Sequence, residues 1–328
     1  MLTNKPHCTD NNDFTVNLTV PLEYHGWRLD QFLAHQFTDY SRGQWQQAIQ
    51  SGEILLNQKP AKNKSNLSVG DYISGTLSVC EHTKNDAQNI ALNVLHADKS
   101  IIVIDKPAGL VVHPAAGNRD GTLLNALLFH FPELANLPRA GIVHRLDKET
   151  SGVMVVARTP KAHTHLVQQL QTRTMGRTYL ALVYRYVTAG DSIDLPIGRH
   201  PKERVRMSVR KDGKPAITHY RIEERFSDIT LLRVQLETGR THQIRVHLSY
   251  LNHPLVGDSV YGHNPVLPKG LSDEIREALL TFPRQALHAT ELRLIHPHST
   301  QPCQYHSPLP EDMTALLQHL RQHRANTP

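Results

Sequence analysis

The sequence predicts an α+β protein whose body is a mixed, largely antiparallel sheet, preceded by a small module of two helices and a hairpin. Three observations point there. Short β-branched runs such as Ile101-Ile102-Val103-Ile104 and Val153-Met154-Val155-Val156 recur with few long helical patterns between them. Two helix-like stretches near the N-terminus are followed at once by short strands. The polar stretch Glu81-His82-Thr83-Lys84-Asn85-Asp86 separates the two patterns and has the composition of a linker. The organisation is a polar mobile tail over residues 1–14, a small domain over 15–79, a linker over 80–91 and a large domain over 92–328.

The elements follow from periodicity and punctuation. Phe14-Thr15-Val16-Asn17-Leu18-Thr19-Val20 alternates apolar and polar and reads as a strand. Trp27–Ala34 has helical spacing, and Ser41 is the predicted N-cap of a second helix through Trp45, Ala48 and Ile49, ended by Gly52. Ile54-Leu55-Leu56 is a short strand, Asn57-Gln58-Lys59 a turn, and Leu67–Ile73 a further strand. In the large domain, Leu95 begins a strand pattern. Strands are predicted at Ile101–Lys106, ended by Pro107, at Leu110–Pro114, and at Thr178–Tyr184. Others are Ala216–Glu223, Ile229–Glu237, Gln243–Leu248 and Ala289–Ile295. Helices are predicted over Thr122–Leu128, from Pro160 through Leu170, and from Pro310 through Leu320. The cation-dense stretches Lys202–Met207 and Arg210–Lys214 read as loops.

The chain has 328 residues with 36 Lys and Arg against 30 Asp and Glu, a formal net charge of +6, and 22 His besides. A basic balance favours a polyanionic partner, nucleic acid above all. Cys8, Cys80 and Cys303 lie far apart without a CxxC pair, which suits a reducing compartment. There is no basic-then-apolar leader pattern and no run approaching the ~20 apolar residues of a membrane span. A cytoplasmic protein is expected.

Gly141–Gly152 is the most informative stretch. Polar residues, His144-Arg145-Leu146-Asp147-Lys148-Glu149, lead directly into the buried strand Val153–Ala157, so they form a loop on a rigid scaffold, where chemistry tends to sit. Asp147, flanked by Arg145 and Lys148, is either an ion-paired turn residue or a carboxylate that serves as nucleophile or base on a polyanion. Other machinery is lacking. No HExxH, Walker loop, GxGxxG or GxSxG occurs, and His242 and His247 are spaced poorly for sharing a metal. No metal and no nucleotide cofactor is expected. Three further polar clusters stand out: Arg177-Thr178-Tyr179, Thr238–His247 and His253–Asp258. A Tyr beginning a strand can stack on a base or only pack the sheet. If Gln243–Leu248 is extended, Arg240 and Arg245 point to opposite faces. The loop His253–Asp258 reads as structural support.

The N-terminal module resembles the small RNA-binding domain named after ribosomal protein S-four, on Arg28-Leu29-Asp30, Ser41-Arg42, Gly52-Glu53-Ile54, Asn57 and Val69-Gly70-Asp71. That resemblance implies RNA phosphate contacts from Arg42 and Lys59, with Lys62 and Lys64 as further cations. The family often has Asn-Gly at the hairpin turn, so a longer or differently shaped turn is expected at Asn57-Gln58-Lys59.

Taken together, the later clusters resemble the RluA-type pseudouridine synthases. The match runs through Asp105-Lys106-Pro107, His113-Pro114, His144-Arg145-Leu146-Asp147, Tyr179, Gly213-Lys214-Pro215-Ala216, Gly239–Arg245, His253–Asp258 and Arg284–Ala289. Within the family, Pro138–Val143 and His113–Asn118 are most similar to the type acting on the large ribosomal subunit. The resemblance implies isomerisation of uridine to pseudouridine without metal or cofactor. Asp147 would be the essential carboxylate. Arg245 would pair with it and hold it ionised, and Tyr179 would stack on the base and take part in proton removal. Arg145 would fill the space left by the flipped uridine. His144, Lys148, Arg240, His242 and Gln243 would contact RNA. The implied partner is 23S rRNA or a large-subunit precursor, at the hairpin called helix 69, met by a monomer. A family synthase acting on tRNA or another rRNA site, or a non-catalytic assembly factor, are the competing expectations.

Overall fold

The structure is a computed structural model describing residues 14–326, apart from 38–39, 41, 78–85, 116, 204, 227, 263–266 and 268–269. The tail expected over 1–14 lies outside these residues except for Phe14. The Ser41 cap and the first half of the linker also lie outside them. The chain forms two compact units, Met1–Lys84 and Asn85–Pro328.

The first unit runs β1 (Phe14–Thr19), α1 (Leu29–Gln36), α2 (Arg42–Ser51), β2 (Ile54–Leu56), β3 (Lys59–Pro60) and β4 (Tyr72–Leu77). Its antiparallel sheet has the order β1-β4-β2-β3. Leu29, Phe32 and Leu33 of α1 and Trp45, Ala48 and Ile49 of α2 bury against Val16, Ile54 and Ile73. Each such aliphatic side chain contributes ~1.5–3 kcal/mol when fully buried. The turn between β2 and β3 is shorter than expected. Asn57 and Gln58 both take positive φ, 50° and 61°, which suits a tight two-residue hairpin, and Lys59 therefore lies on β3. The strand expected over Leu67–Ile73 begins only at Tyr72. Leu67 to Asp71 form a turn in which Asp71 accepts the Ser68 amide at 2.7 Å.

In the second unit the elements are β5 (Asn93–Ala97), β6 (Ile101–Lys106), α3 (Leu123–His130), β7 (Ser151–Ala157), α4 (Pro160–Gln171), β8 (Gly176–Tyr184), β9 (Asp191–Asp194), β10 (Ile197–Arg199), β11 (Met207–Val209), β12 (Ile217–Phe226), β13 (Ile229–Leu236), α5 (Gln243–Tyr250), α6 (Asp273–Leu280), β14 (Leu287–Ile295), β15 (Pro302–His306) and α7 (Glu311–Asn326). Among the described residues a nine-stranded sheet runs β5-β6-β7-β14-β8-β13-β12-β9, with β15 on β14. Its β7–β14 pair is parallel and its other pairs antiparallel. The fold is the α+β, largely antiparallel mixed sheet that the strand runs predict.

Both faces of this sheet are covered. On β8, Tyr179, Ala181 and Val183 enter one core, with Leu123, Leu127 and Leu166 from α3 and α4. Leu180, Leu182 and Tyr184 enter a second core, with Ile275, Leu279, Met313 and Leu317 from α6 and α7. The two-residue period of a strand thus distributes one continuous apolar run to two sides. Thr122 and Thr159 cap α3 and α4 through their hydroxyls. At the centre, Gly152 has φ +119°, and a Cβ there would lie 2.2 Å from the Ala289 carbonyl oxygen. Only glycine lets β7 and β14 approach this closely.

Two predicted strands are corrected. Gln243–Leu248 is helical, the first part of α5; residues 243–248 are all buried, so no exposed face marks the helical period. Leu110–Pro114 is an irregular segment rather than a strand; the Leu123 and Leu124 amides donate to the Val111 and Val112 carbonyls, tying it to the start of α3. Of the cationic stretches, Lys202–Met207 lies between β10 and β11, with Met207 already on β11, and Arg210–Lys214 follows β11. Helix α6, capped by Ser272, was not anticipated.

Candidate active site

Residues 142–150 connect the core to β7. Ile142 and Leu146 are buried in the core, which pegs the loop at two points and leaves the alternate positions outward. Arg145 and Lys148 are exposed, while the Asp147 side chain keeps only 16% of its surface accessible. Three side chains hold the segment that follows Asp147, two of them through its backbone. Lys106, fully buried at the end of β6, donates to the carbonyls of Pro107, Leu110 and Lys148 at 2.7, 2.9 and 3.0 Å. Arg284 donates to the Glu149 carbonyl at 3.2 Å and is itself held by Asp312 at 2.6 and 2.8 Å. Gln285 donates to the Thr150 hydroxyl at 3.1 Å. Burial pulls the Lys106 ammonium down to about 7, against the opposing charges of Glu149 and Asp147.

Helix α5 brings Arg245 to the loop. Its Nη1 donates to Asp147 Oδ2 at 3.2 Å, while Nε and Nη2 donate to Asp258 at 2.7 and 2.9 Å. Asp258 also accepts the amides of Val260 and Tyr261 at 2.9 and 3.0 Å. Burial alone would raise the Asp258 carboxyl, but the Arg245 bonds and these amides outweigh it and hold it below its ordinary value. The preceding turn needs Gly257: its φ is +71°, and a Cβ would lie 2.1 Å from the Arg284 carbonyl oxygen. The Tyr261 ring packs under Arg245 at 5.0 Å, a cation–π contact.

The structure brings Asp147, Arg245 and His242 together, with His242 Nε2 3.9 Å from Asp147 Oδ1. Tyr179 lies on β8, 6% exposed. Burial raises its hydroxyl pKa, the nearby Arg177 opposes this, and Asp147 adds to it; the phenol is thus protonated at neutral pH and within electrostatic reach of the carboxylate. Lys148 points to solvent and leaves the pairing with Asp147 to Arg245.

Two residues expected at RNA are engaged elsewhere, and a third in part. His144 Nε2 accepts the Val155 amide at 3.1 Å, and burial, then Arg177, pushes the imidazole down to about 3. It is therefore a neutral acceptor pinning the loop to β7. Gln243 Oε1 accepts from the Thr238 hydroxyl and the Arg240 amide at 2.8 and 2.9 Å, and its Nε2 donates to Ile217 O and Thr218 Oγ1 at 3.0 and 2.9 Å. That uses the four bonds of its amide and ties α5 to β12. Arg240 Nε donates to the Pro215 carbonyl at 3.0 Å, leaving the rest of its partly exposed fork outward.

In the first unit Arg42 donates twice to Asp30 Oδ2, at 3.0 and 2.9 Å, beside Arg28 and Gln46 on the same buried carboxylate. Lys59 is exposed on β3. Sequence reasoning read Asp258 only as part of a supporting turn and gave Tyr261, Lys106, Arg284 and Gln285 no individual roles. For Asp258, Lys106 and Arg284 the available signal was charge: a charged group inside a core needs a partner.

No helix among the described residues is long and apolar enough to cross a membrane. The family model described as RNA pseudouridylate synthase matches residues 100–250, and the S4 domain model matches residues 27–73. The chain is 50% identical over 307 residues to "Ribosomal large subunit pseudouridine synthase D" of Escherichia coli strain K12, covering 93% of this chain and 94% of that one. It is likewise 50% identical over 306 residues to the protein of the same name from Xanthomonas campestris, covering 93% and 92%. Among solved structures, Human RNA Pseudouridylate Synthase Domain Containing 4 superposes with a TM-score of 0.55 at 26% identity, covering 70% of this chain and 93% of that one. Human RNA Pseudouridylate Synthase Domain Containing 1 gives 0.53 at 26% identity, covering 74% and 97%. With half its residues identical to such a relative across nearly its whole length, and with that fold around the Asp147–Arg245 pair, the chain belongs to the RNA pseudouridylate synthase family.

Proposed function

We propose that this protein is an isomerase that converts uridine to pseudouridine in large-subunit ribosomal RNA, either 23S rRNA or its precursor particle, in the cytoplasm. The observation that carries the reading is the Arg245–Asp147 bond of 3.2 Å in a loop fixed from three sides. The 50% identity to a large-subunit synthase supports the substrate class.

The reaction breaks the N1–C1′ bond, turns the uracil, and forms a C5–C1′ bond; C5 loses a proton and N1 gains one, so nothing is oxidised or reduced. Asp147 acts at the sugar–base junction. Arg245 orients its carboxylate and offsets the cost of keeping a charge in a largely closed pocket. Tyr179, buried against the same core, stacks on the extruded base and assists removal of the C5 proton. Arg145, exposed beside Asp147, occupies the space that the base leaves. Extrusion costs a few kcal/mol and less in a hairpin loop than in a duplex, which favours the helix 69 hairpin. Lys148 and the outward part of the Arg240 fork serve as RNA contacts. The small N-terminal domain (15–79), joined by a linker (80–91), adds phosphate contacts through Arg42 and Lys59 and raises the local RNA concentration.

The test is a pseudouridine map of rRNA and tRNA from cells lacking the protein. Loss confined to the helix 69 hairpin supports the reading, loss in tRNA or elsewhere in rRNA redirects the substrate, and an unchanged map contradicts the activity.

A further inference from the structure

His242 adopts a left-handed backbone conformation, φ 56° and ψ 23°, at the N-terminus of α5. Such a conformation is strained for a residue with a Cβ and persists where its surroundings impose it. Here it accompanies a specific placement of the ring. Nε2 faces Asp147 Oδ1 at 3.9 Å, the carboxylate oxygen that Arg245 does not bond. Nδ1, on the other side, is 2.8 Å from the Tyr261 hydroxyl.

That hydroxyl sets the ring's tautomer. The Met207 amide donates to it at 2.9 Å. An amide N–H can only donate, so the phenolic oxygen accepts there; among the contacts described for this hydroxyl, Nδ1 is the one able to accept its single proton. Nδ1 is then bare, and the neutral imidazole carries its proton on Nε2, the side facing the carboxylate. Burial, helped by Arg245 and opposed by Asp147 and Asp258, holds the ring below its ordinary pKa, consistent with one ring proton at neutral pH.

We propose that Tyr261 fixes His242 as the Nε2–H tautomer, and that this N–H closes on Asp147 Oδ1 when RNA binds, so that Arg245 and His242 orient the carboxylate from both oxygens. Both His242 and Tyr261 are positioning residues. Apo hydrogen bonds in active sites are often long and tighten in the substrate complex, which accommodates the 3.9 Å separation. Because Met207 begins β11, Tyr261 also connects the β10–β11 hairpin to the carboxylate. The inference rests on the reading of Asp147 as the reacting group.

The test combines nitrogen NMR of ¹⁵N-histidine-labelled full-length protein with kinetics on large-subunit RNA. The His242 signal is identified by its loss in His242→Gln. The expected wild-type pattern is Nε2–H, and in Tyr261→Phe a mixture of tautomers. Tyr261→Phe is expected to lower kcat about tenfold, as loss of such a supporting partner does, with KM unchanged. In His242→Gln, the side-chain amide keeps a donor near the Nε2 position without a tautomer to fix. Tyr261→Phe in that background is expected to cost nothing further, a non-additivity that a merely structural role would not give. A wild-type Nδ1–H pattern, or equal losses in both backgrounds, overturns the inference. Absence of isomerisation by the wild type overturns the reading of the reaction instead.

Discussion

Arg245 is held more firmly by Asp258 than by Asp147: two bonds of 2.7 and 2.9 Å to the first carboxylate, one of 3.2 Å to the second. Asp258 fixes the guanidinium, and the remaining Nη1 is presented to the reactive loop. The Asp258 side chain is fully buried and that of Arg245 is 6% exposed, so removing either strands the other. Asp258→Asn is expected to cost about 3–5 kcal/mol in urea denaturation at neutral pH. The folded-state pKa of Asp258 lies below its ordinary value, so its contribution is present above the unfolded value and is lost as pH falls through the folded one. The gap between wild type and variant should therefore narrow in acid, below the usual carboxylate range.

Lys106 connects stability to loop geometry. Lys106→Met leaves three carbonyls, one of them Lys148's, without their donor, and should cost about 2–4 kcal/mol with a lower kcat. The group sits at about 7 in the folded protein against 10.5 normally. Between those values the unfolded chain binds more protons, so this residue makes wild-type stability rise with pH. The variant should lack that rise, and denaturation at pH 7 and pH 10 measures it.

Arg145 should behave oppositely. It is exposed, so Arg145→Ala is expected to shift stability by no more than about 0.5 kcal/mol. If it occupies the vacated base position, single-turnover isomerisation should slow by about tenfold or more, as extrusion loses its support. Unchanged single-turnover rates would remove that role.

Arg42 combines a structural bond with an RNA contact in the small domain, whereas Lys59 offers the contact alone. Arg42→Ala removes two of five side-chain bonds to the buried Asp30 and should destabilise the unit by about 1–2 kcal/mol. Lys59→Ala should leave stability unchanged while reducing the slope of log affinity against log salt by about 1. Filter binding at several salt concentrations reads this directly.

Much of this architecture was legible in the sequence. Apolar β-branched runs located β6, β7 and β8 because both sides of the sheet are covered there, and Thr122 and Pro160 marked the starts of α3 and α4. α5 was misread for a related reason: Ile244 and Val246 alternate with polar residues as in a strand, yet Gln243, Arg245 and His247 are buried as well. Burial of charged and polar residues against partners far along the chain erases the pattern on which sequence reading depends. The expected Asp147–Arg245 pairing has its counterpart in the structure, on a helix rather than a strand. Asp258 was read only as part of the supporting turn His253–Asp258, because its partner is set by the fold. His144 and Gln243 fall inside the matched motifs, but their side chains bond to β7 and β12.

The central claim is that Asp147 performs chemistry rather than capping a strand. The most direct measurement compares uridine-to-pseudouridine conversion in large-subunit RNA by the wild type and Asp147→Asn, with RNA binding measured in parallel. The account predicts conversion by the wild type and none by the variant, at nearly equal affinity. Conversion at an undiminished rate by Asp147→Asn would contradict it.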